Sequence, residues 1–151
     1  MDYQQVRAFC MEQPGAFEDF PFGPDSAVYK VRARAGRTAK MFALLWPERD
    51  GGARINLKCD PVLAEQLRTA HPEITPGYHM SKKHWNTVDC SGTLDARTLR
   101  DLVEDSYDLV VASLPRADRE ALHWTGLAAG SADADPSGTD PGPGPAERSP
   151  R

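Results

Sequence analysis

Three stretches of the chain carry the periods of β-strands. Residues 27–34 alternate, with Tyr29 and Val31 on one side and Lys30, Arg32 and Arg34 on the other. Residues 41–46, Met-Phe-Ala-Leu-Leu-Trp, are apolar on both sides, as a central strand requires, and Pro47 stops the run. Asp50-Gly51-Gly52 is a hairpin signal. Residues 54–59 alternate again, with Ile55, Leu57 and Cys59 inward and Arg54, Asn56 and Lys58 outward. The pattern predicts a three-stranded antiparallel meander. One of its faces is apolar; the other carries Lys30, Arg32, Arg54, Asn56 and Lys58.

Helical spacing surrounds this meander. Asp2 is placed to cap a first helix whose Val6, Phe9 and Cys10 share a face, and Pro14-Gly15 ends it. Phe17, Phe20 and Phe22 follow in an acidic, proline-broken segment and read as a plug over the core. Asp60-Pro61 predicts an N-cap and first helical residue, with Val62, Leu63 and Leu67 as the buried side of a helix that ends near His71-Pro72. A short strand is expected within residues 85–90, with Ser91-Gly92 turning out of it. Asp95 caps a long helix with a stripe of Leu99, Leu102, Val103, Ser106, Val110 and Leu114. Pro115 opens a last short helix ending by 124–126.

Composition then divides the chain. Residues 131–151 hold five prolines and three glycines and no Val, Ile, Leu, Met or aromatic residue. Such a segment cannot offset its ordering entropy. The expectation is one α+β domain over residues 1–126 and a disordered tail over 127–151. An apolar share of 40% and a charged share of 26% are those of a soluble protein. No run of eighteen apolar residues is present, and the start lacks the regions of a signal peptide. Three widely spaced cysteines, Cys10, Cys59 and Cys90, point to reduced thiols and a cytoplasmic setting.

The net charge of −4 is unevenly spread. Residues 27–89 carry 11 Lys/Arg against 6 Asp/Glu, while the segments on both sides are acidic. A basic middle points to an anionic partner, or to charges neutralised within the fold.

The stretch at 76–88, Pro-Gly-Tyr-His-Met-Ser-Lys-Lys-His-Trp-Asn-Thr-Val, has neither period. Its Pro-Gly pair suits the centre of a type II turn. Two aromatics, two histidines, two lysines, a serine and an asparagine then fall within residues 78–86. Such side chains stack on rings and hold anions, so this is the candidate working surface.

Five segments together resemble the MmcQ/YjbR family: Pro21-Phe22-Gly23, residues 40–45, Asn56-Leu57-Lys58-Cys59-Asp60-Pro61, the whole of 76–88, and residues 106–111. They stand in the family's order and span about residues 3–122. The resemblance implies a two-layer domain of helix, three strands, helix, two strands and helix, one strand more after the second helix than the pattern alone predicts. It also implies DNA binding, a description that rests on likeness of fold. The connection at 34–39 is longer and more basic here than the family's usual turn.

Three functions follow as expectations. In the first, the protein is a non-catalytic DNA-binding module. Lys58, Lys82 and Lys83 neutralise phosphates, Tyr78, His79 and Trp85 stack, and Asn86 and Asn56 hydrogen-bond to phosphate or base edges. Lys30, Arg32 and Arg54 extend the footprint. Taken singly, Trp85 reads first as a core anchor, and a pI near 5.5 argues against strong nonspecific binding. In the second, His79, His84 and Lys82 hold a small anion or serve an enzyme, with Ser81, His84 and Asp89 near one another in sequence but without catalytic framing. In the third, the phenylalanines 17, 20 and 22 or an edge strand form a protein interface. No metal-binding spacing and no nucleotide-cofactor motif is present, so no cofactor is expected.

Overall fold

A computed structural model describes residues 1–134, with side chains through Ala128. The first helix, α1 (Tyr3–Met11), starts where the sequence places it. Asp2 accepts from the Gln5 amide, and Gln5 returns a bond to the Asp2 amide, a reciprocal capping box. Its buried face is Val6, Phe9 and Cys10.

Four strands follow: β1 (Ala16–Asp19), β2 (Ala27–Val31), β3 (Lys40–Pro47) and β4 (Ala53–Lys58). Helix α2 (Pro61–Ala70) comes next, with Asp60 accepting from the amides of Val62 and Leu63. Then come β5 (Ile74–Pro76), β6 (Trp85–Asp89), α3 (Ala96–Ala112) and α4 (Arg116–Ala134). The strands form one antiparallel sheet in the order β1-β2-β3-β4-β6-β5. Helices α1 and α3 pack on one face, so the architecture is the two-layer α+β domain expected. Among the described residues no helix is long and apolar enough to cross a membrane.

The meander is present, and Tyr29, Val31, Phe42, Ala43, Leu45 and Ile55 are fully buried at its centre. Tyr29 pairs with Ala43 but Lys30 pairs with Met41, so β3 holds one extra residue at Phe42. That bulge turns Phe42 inward beside Ala43, and both are 0% exposed. Phe42 then meets Tyr107 of α3 edge to face at 5.5 Å. The ladder between β3 and β4 stops at Ala43 opposite Leu57. Beyond it, the Ser106 hydroxyl donates to the Phe42 carbonyl at 2.6 Å and accepts from the Lys58 amide at 2.8 Å. Ser106 is a buried polar residue because both of its bonds are made there.

Several expectations are corrected. Residues 16–19 form a strand. Phe20 is 45% and Phe22 73% exposed, so these rings are no plug over the core. Glu18 anchors β1 by accepting from Arg7 at 2.8 and 3.1 Å and from the Tyr29 hydroxyl at 2.7 Å. On α2 the buried residue is Ala64, while Val62 is 67% and Leu63 38% exposed. Helix α4 runs through Gly126 to Ala134, past the end expected for it and past the expected start of the tail. The remainder of the segment expected to be a disordered tail, residues 135–151, lies outside the described residues.

Candidate functional site

Register decides which side chains reach the face without helices. Arg54 stands opposite Asp89, Asn56 opposite Thr87 and Lys58 opposite Trp85. Side chains alternate across a strand, so these point away from Ile55 and Leu57, which face α3. The loop from β5 to β6, residues 77–84, folds back over this face.

Asn56 and Thr87 explain how the loop is held. The Thr87 hydroxyl accepts from the Tyr78 amide at 2.8 Å and donates to the Asn56 carbonyl oxygen at 2.5 Å. Asn56 Nδ2 donates to the Tyr78 carbonyl at 2.9 Å. The ring of bonds is closed and both side chains are buried. Alternation did place Asn56 on this face, but the loop covers it. It positions Tyr78 instead of meeting a ligand.

Asn86 is corrected likewise. It lies on the helix side, where it accepts from Arg68 at 3.0 Å and its Nδ2 reaches the Ala64 carbonyl, tying α2 to β6. Neither asparagine is open to nucleic acid.

Pro76-Gly77 is not a type II turn. Pro76 ends β5, and Gly77 donates its amide to the Trp85 carbonyl. A Cβ at Gly77 would lie 2.8 Å from both Cβ and the carbonyl oxygen of Trp85, so this close approach requires glycine. The left-handed residue of the loop is His79, at φ 59°. That conformation is uncommon for a side chain with Cβ and turns the loop sharply after Tyr78.

The loop's side chains face outward. Tyr78, His79, Lys82, Lys83 and His84 are all exposed, Tyr78 by 58%. The Tyr78 ring lies 3.9 Å from that of His79 and 6.1 Å from that of Trp46, tilted by 43° to the latter. Lys82 Nζ donates to the Gly77 carbonyl at 3.0 Å. A neutral carbonyl orders the ammonium without cancelling its charge. Trp85 is half-buried against Gly77 and Lys58, so it acts as a wall of the loop as well as a strand residue.

The strand cations differ from those of the loop. Lys30 pairs with Asp19 at 3.0 Å. Arg54 reaches Glu48 at 3.1 Å and Asp89 at 3.9 Å. Arg32 lies 4.3 Å over the Phe17 ring. In the basic connection before β3, Arg37 pairs with the buried Asp118 at 2.7 Å. The strand face is therefore largely neutralised and does not extend a basic footprint. Among the described residues Lys58, Lys82, Lys83 and His84 form no ion pair with a carboxylate.

The enzyme-like constellation is not assembled. Asp89 sits at the other end of β6 from His84, and a 2.7 Å bond from the Ser91 hydroxyl and the nearby Arg54 hold its carboxyl below the usual range. Neither imidazole makes a side-chain hydrogen bond among the described residues. The cysteines are buried and unpaired, and burial pushes their thiols up, Cys90 to about 12, which keeps them protonated and unreactive. Among the described residues no three or more His, Cys, Asp or Glu gather to hold a metal.

Trp46 is the member of the site that sequence reasoning missed. It sits in an apolar run, and only its register opposite Arg54 brings it to the open face.

Comparison with known proteins agrees with this architecture. A family model described as YjbR matches residues 11–109. The uncharacterised protein YbdF of Escherichia coli O157:H7 is 36% identical, over 80% of this chain and 93% of its own. The uncharacterised protein YjbR of Escherichia coli K12 is 31% identical, over 81% and 98%. Among solved structures, Deinococcus radiodurans protein DR2400, with a domain termed DUF419, superposes with a TM-score of 0.73 at 40% identity. It covers 82% of this chain and 89% of its own.

Proposed function

The chain belongs to the YjbR family, and from that premise we propose that it is a non-catalytic nucleic-acid-binding protein whose β5–β6 loop grips phosphates. The observation that carries this reading is the unequal state of the cations. Lys30 and Arg54 have carboxylate partners and Arg32 lies over a ring, while Lys58, at the end of β4, has no carboxylate partner among the described residues. Lys82, Lys83 and His84 stand exposed on a loop that has no acidic residue between Glu73 and Asp89. A positive surface on a protein of net charge −4 acts locally, so contact is confined to this loop and Lys58. DNA is the partner this reading assigns. The unreactive thiols and the distance of Asp89, at the far end of β6, from Ser81 and His84 support binding over catalysis. Three cysteines unpaired in the fold support a cytoplasmic setting.

The test is titration of labelled DNA with the parent and with Lys82→Ala/Lys83→Ala across a salt series. The expected loss for the double variant is about 1–3 kcal/mol, with a log affinity against log salt slope shallower by roughly 1–2. Thermal melting should change little, since both side chains are exposed and the variant gives up only the bond from Lys82 to the Gly77 carbonyl. Equal affinity of the two proteins at low salt overturns the reading.

A further inference from the structure

We infer that Tyr78 and Trp46 form a base-stacking site on the open face of the sheet, and that the nucleic acid bound is single-stranded. The inference rests on the phosphate-binding reading above and adds the form of the partner. Tyr78 joins two opposed properties. Its peptide is pinned on both sides by the buried Asn56–Thr87 pair, yet its ring is 58% exposed. A ring needed for packing would be turned inward. This one is a rigid platform offered to solvent, and platforms held in advance lose little entropy on binding.

Tyr78 borders two hollows. One, of about 360 Å³, is bordered by Trp46, Thr75, Pro76 and the paired Arg54 and Glu48. The other, of about 380 Å³, is bordered by Asp25, Ser26, Leu44, Trp46 and His79. Both fall within the size of small-molecule sites, about 300–1,000 Å³, and both open to the surface. Trp46 borders each of them, with its ring 6.1 Å from that of Tyr78. Flat rings entering from the edge find an aromatic wall in either hollow.

The backbone of such a ligand has its cation in place. Lys82 is fixed on the Gly77 carbonyl, one residue before Tyr78. Phosphate and base contacts thus alternate over a short distance, as binding of a strand by stacking requires. In a duplex the base faces are already covered by their neighbours, so two adjoining hollows around one ring suit unstacked bases.

The test uses the full chain, across a salt series that begins at low salt, with a labelled single-stranded oligonucleotide of mixed sequence, its duplex, and free adenosine monophosphate. The single strand should bind at least tenfold tighter than the duplex. Tyr78→Ala should weaken single-strand binding about tenfold and leave the salt slope unaltered, while Tyr78→Phe keeps parental affinity. Quenching of tryptophan fluorescence by the strand should shrink in Trp46→Phe. Thermal melting of each variant confirms that it is folded. Equal affinity for strand and duplex, with Tyr78→Ala harmless and Lys82→Ala/Lys83→Ala still damaging, overturns the stacking site and leaves phosphate binding standing. Mononucleotide bound as tightly as the oligonucleotide overturns the polymer assignment. No binding of strand or duplex by the parent protein removes both readings.

Discussion

Asn56 Nδ2 donates to the main-chain carbonyl of Tyr78 at 2.9 Å, from one strand of the sheet to a loop that lies over it. A side chain that alternation marks as outward is thus 0% exposed, because a later segment returns to cover it. Asn56→Ala strands the Thr87 hydroxyl and the Tyr78 carbonyl in that covered position. The expected cost is about 1–3 kcal/mol in urea unfolding, since a buried polar group without its partner retains its desolvation penalty. Hydrogen exchange at the Tyr78 amide should quicken at the same time. Unchanged exchange there would show that the loop is held by other contacts.

Ser106 supplies a second, independent measurement. Its hydroxyl bridges the Phe42 carbonyl and the Lys58 amide just past the bulge in β3. Ser106→Ala leaves those two main-chain groups unbridged inside the core, so a loss of about 1–3 kcal/mol is expected by urea unfolding. Nucleic-acid binding by the folded variant should equal that of the parent. A variant as stable as the parent would mean that the strands close the gap directly.

Stability should depend on pH through Glu18. Hydrogen bonds from Arg7, and next in weight from Tyr29, hold its carboxyl below the ordinary 4.5 despite the opposing effect of burial. A folded-state value below the unfolded one means that the unfolded chain binds the proton first. The stabilisation is complete above the ordinary value and disappears as pH falls through the lower folded-state value. Parent and Glu18→Gln should therefore differ most at neutral pH and converge in acid. Asp105 and Asp108 are shifted up by burial and then by neighbouring carboxylates, with the opposite sign, so only this paired comparison isolates Glu18. A constant difference from pH 7 to pH 3 would refute the assignment.

Much of the fold was legible because its signals are local. Asp2, Asp60 and Asp95 cap helices within three residues of themselves, and each does so in the structure. The apolar run at 41–46 is central because no face of it is polar. Strand β1 was hidden for the converse reason. Ala-Phe-Glu-Asp shows no useful alternation, and its order comes from Arg7 and Tyr29, which are distant in sequence. Val62, Leu63 and Leu67 read as a buried stripe, and nothing in α2 itself says that Ala64 is the residue turned to Asn86 of the sheet. The Leu127-Ala128-Ala129 run after Gly126 was a readable helix signal, outweighed by the proline-rich composition beyond it. At the site, the density of Tyr, His and Lys after Pro76 marked the loop. Which members face solvent depended on register, and that is why Asn86 faces the helices and Trp46 the loop.

The strand order has a last consequence, at the margins of the sheet. A further chain could extend it only along β1 or β5. β5 is three residues long and finishes in Pro76, which has no amide hydrogen to share. β1 is four residues long, carries Glu18 and Asp19, and runs on toward Pro21, so a second copy laid against it antiparallel would bring carboxylates near carboxylates. Both borders are blunted against edge-to-edge growth. The protein can thus hold its aromatic and cationic loop in water with neither border of the sheet offered to a second copy.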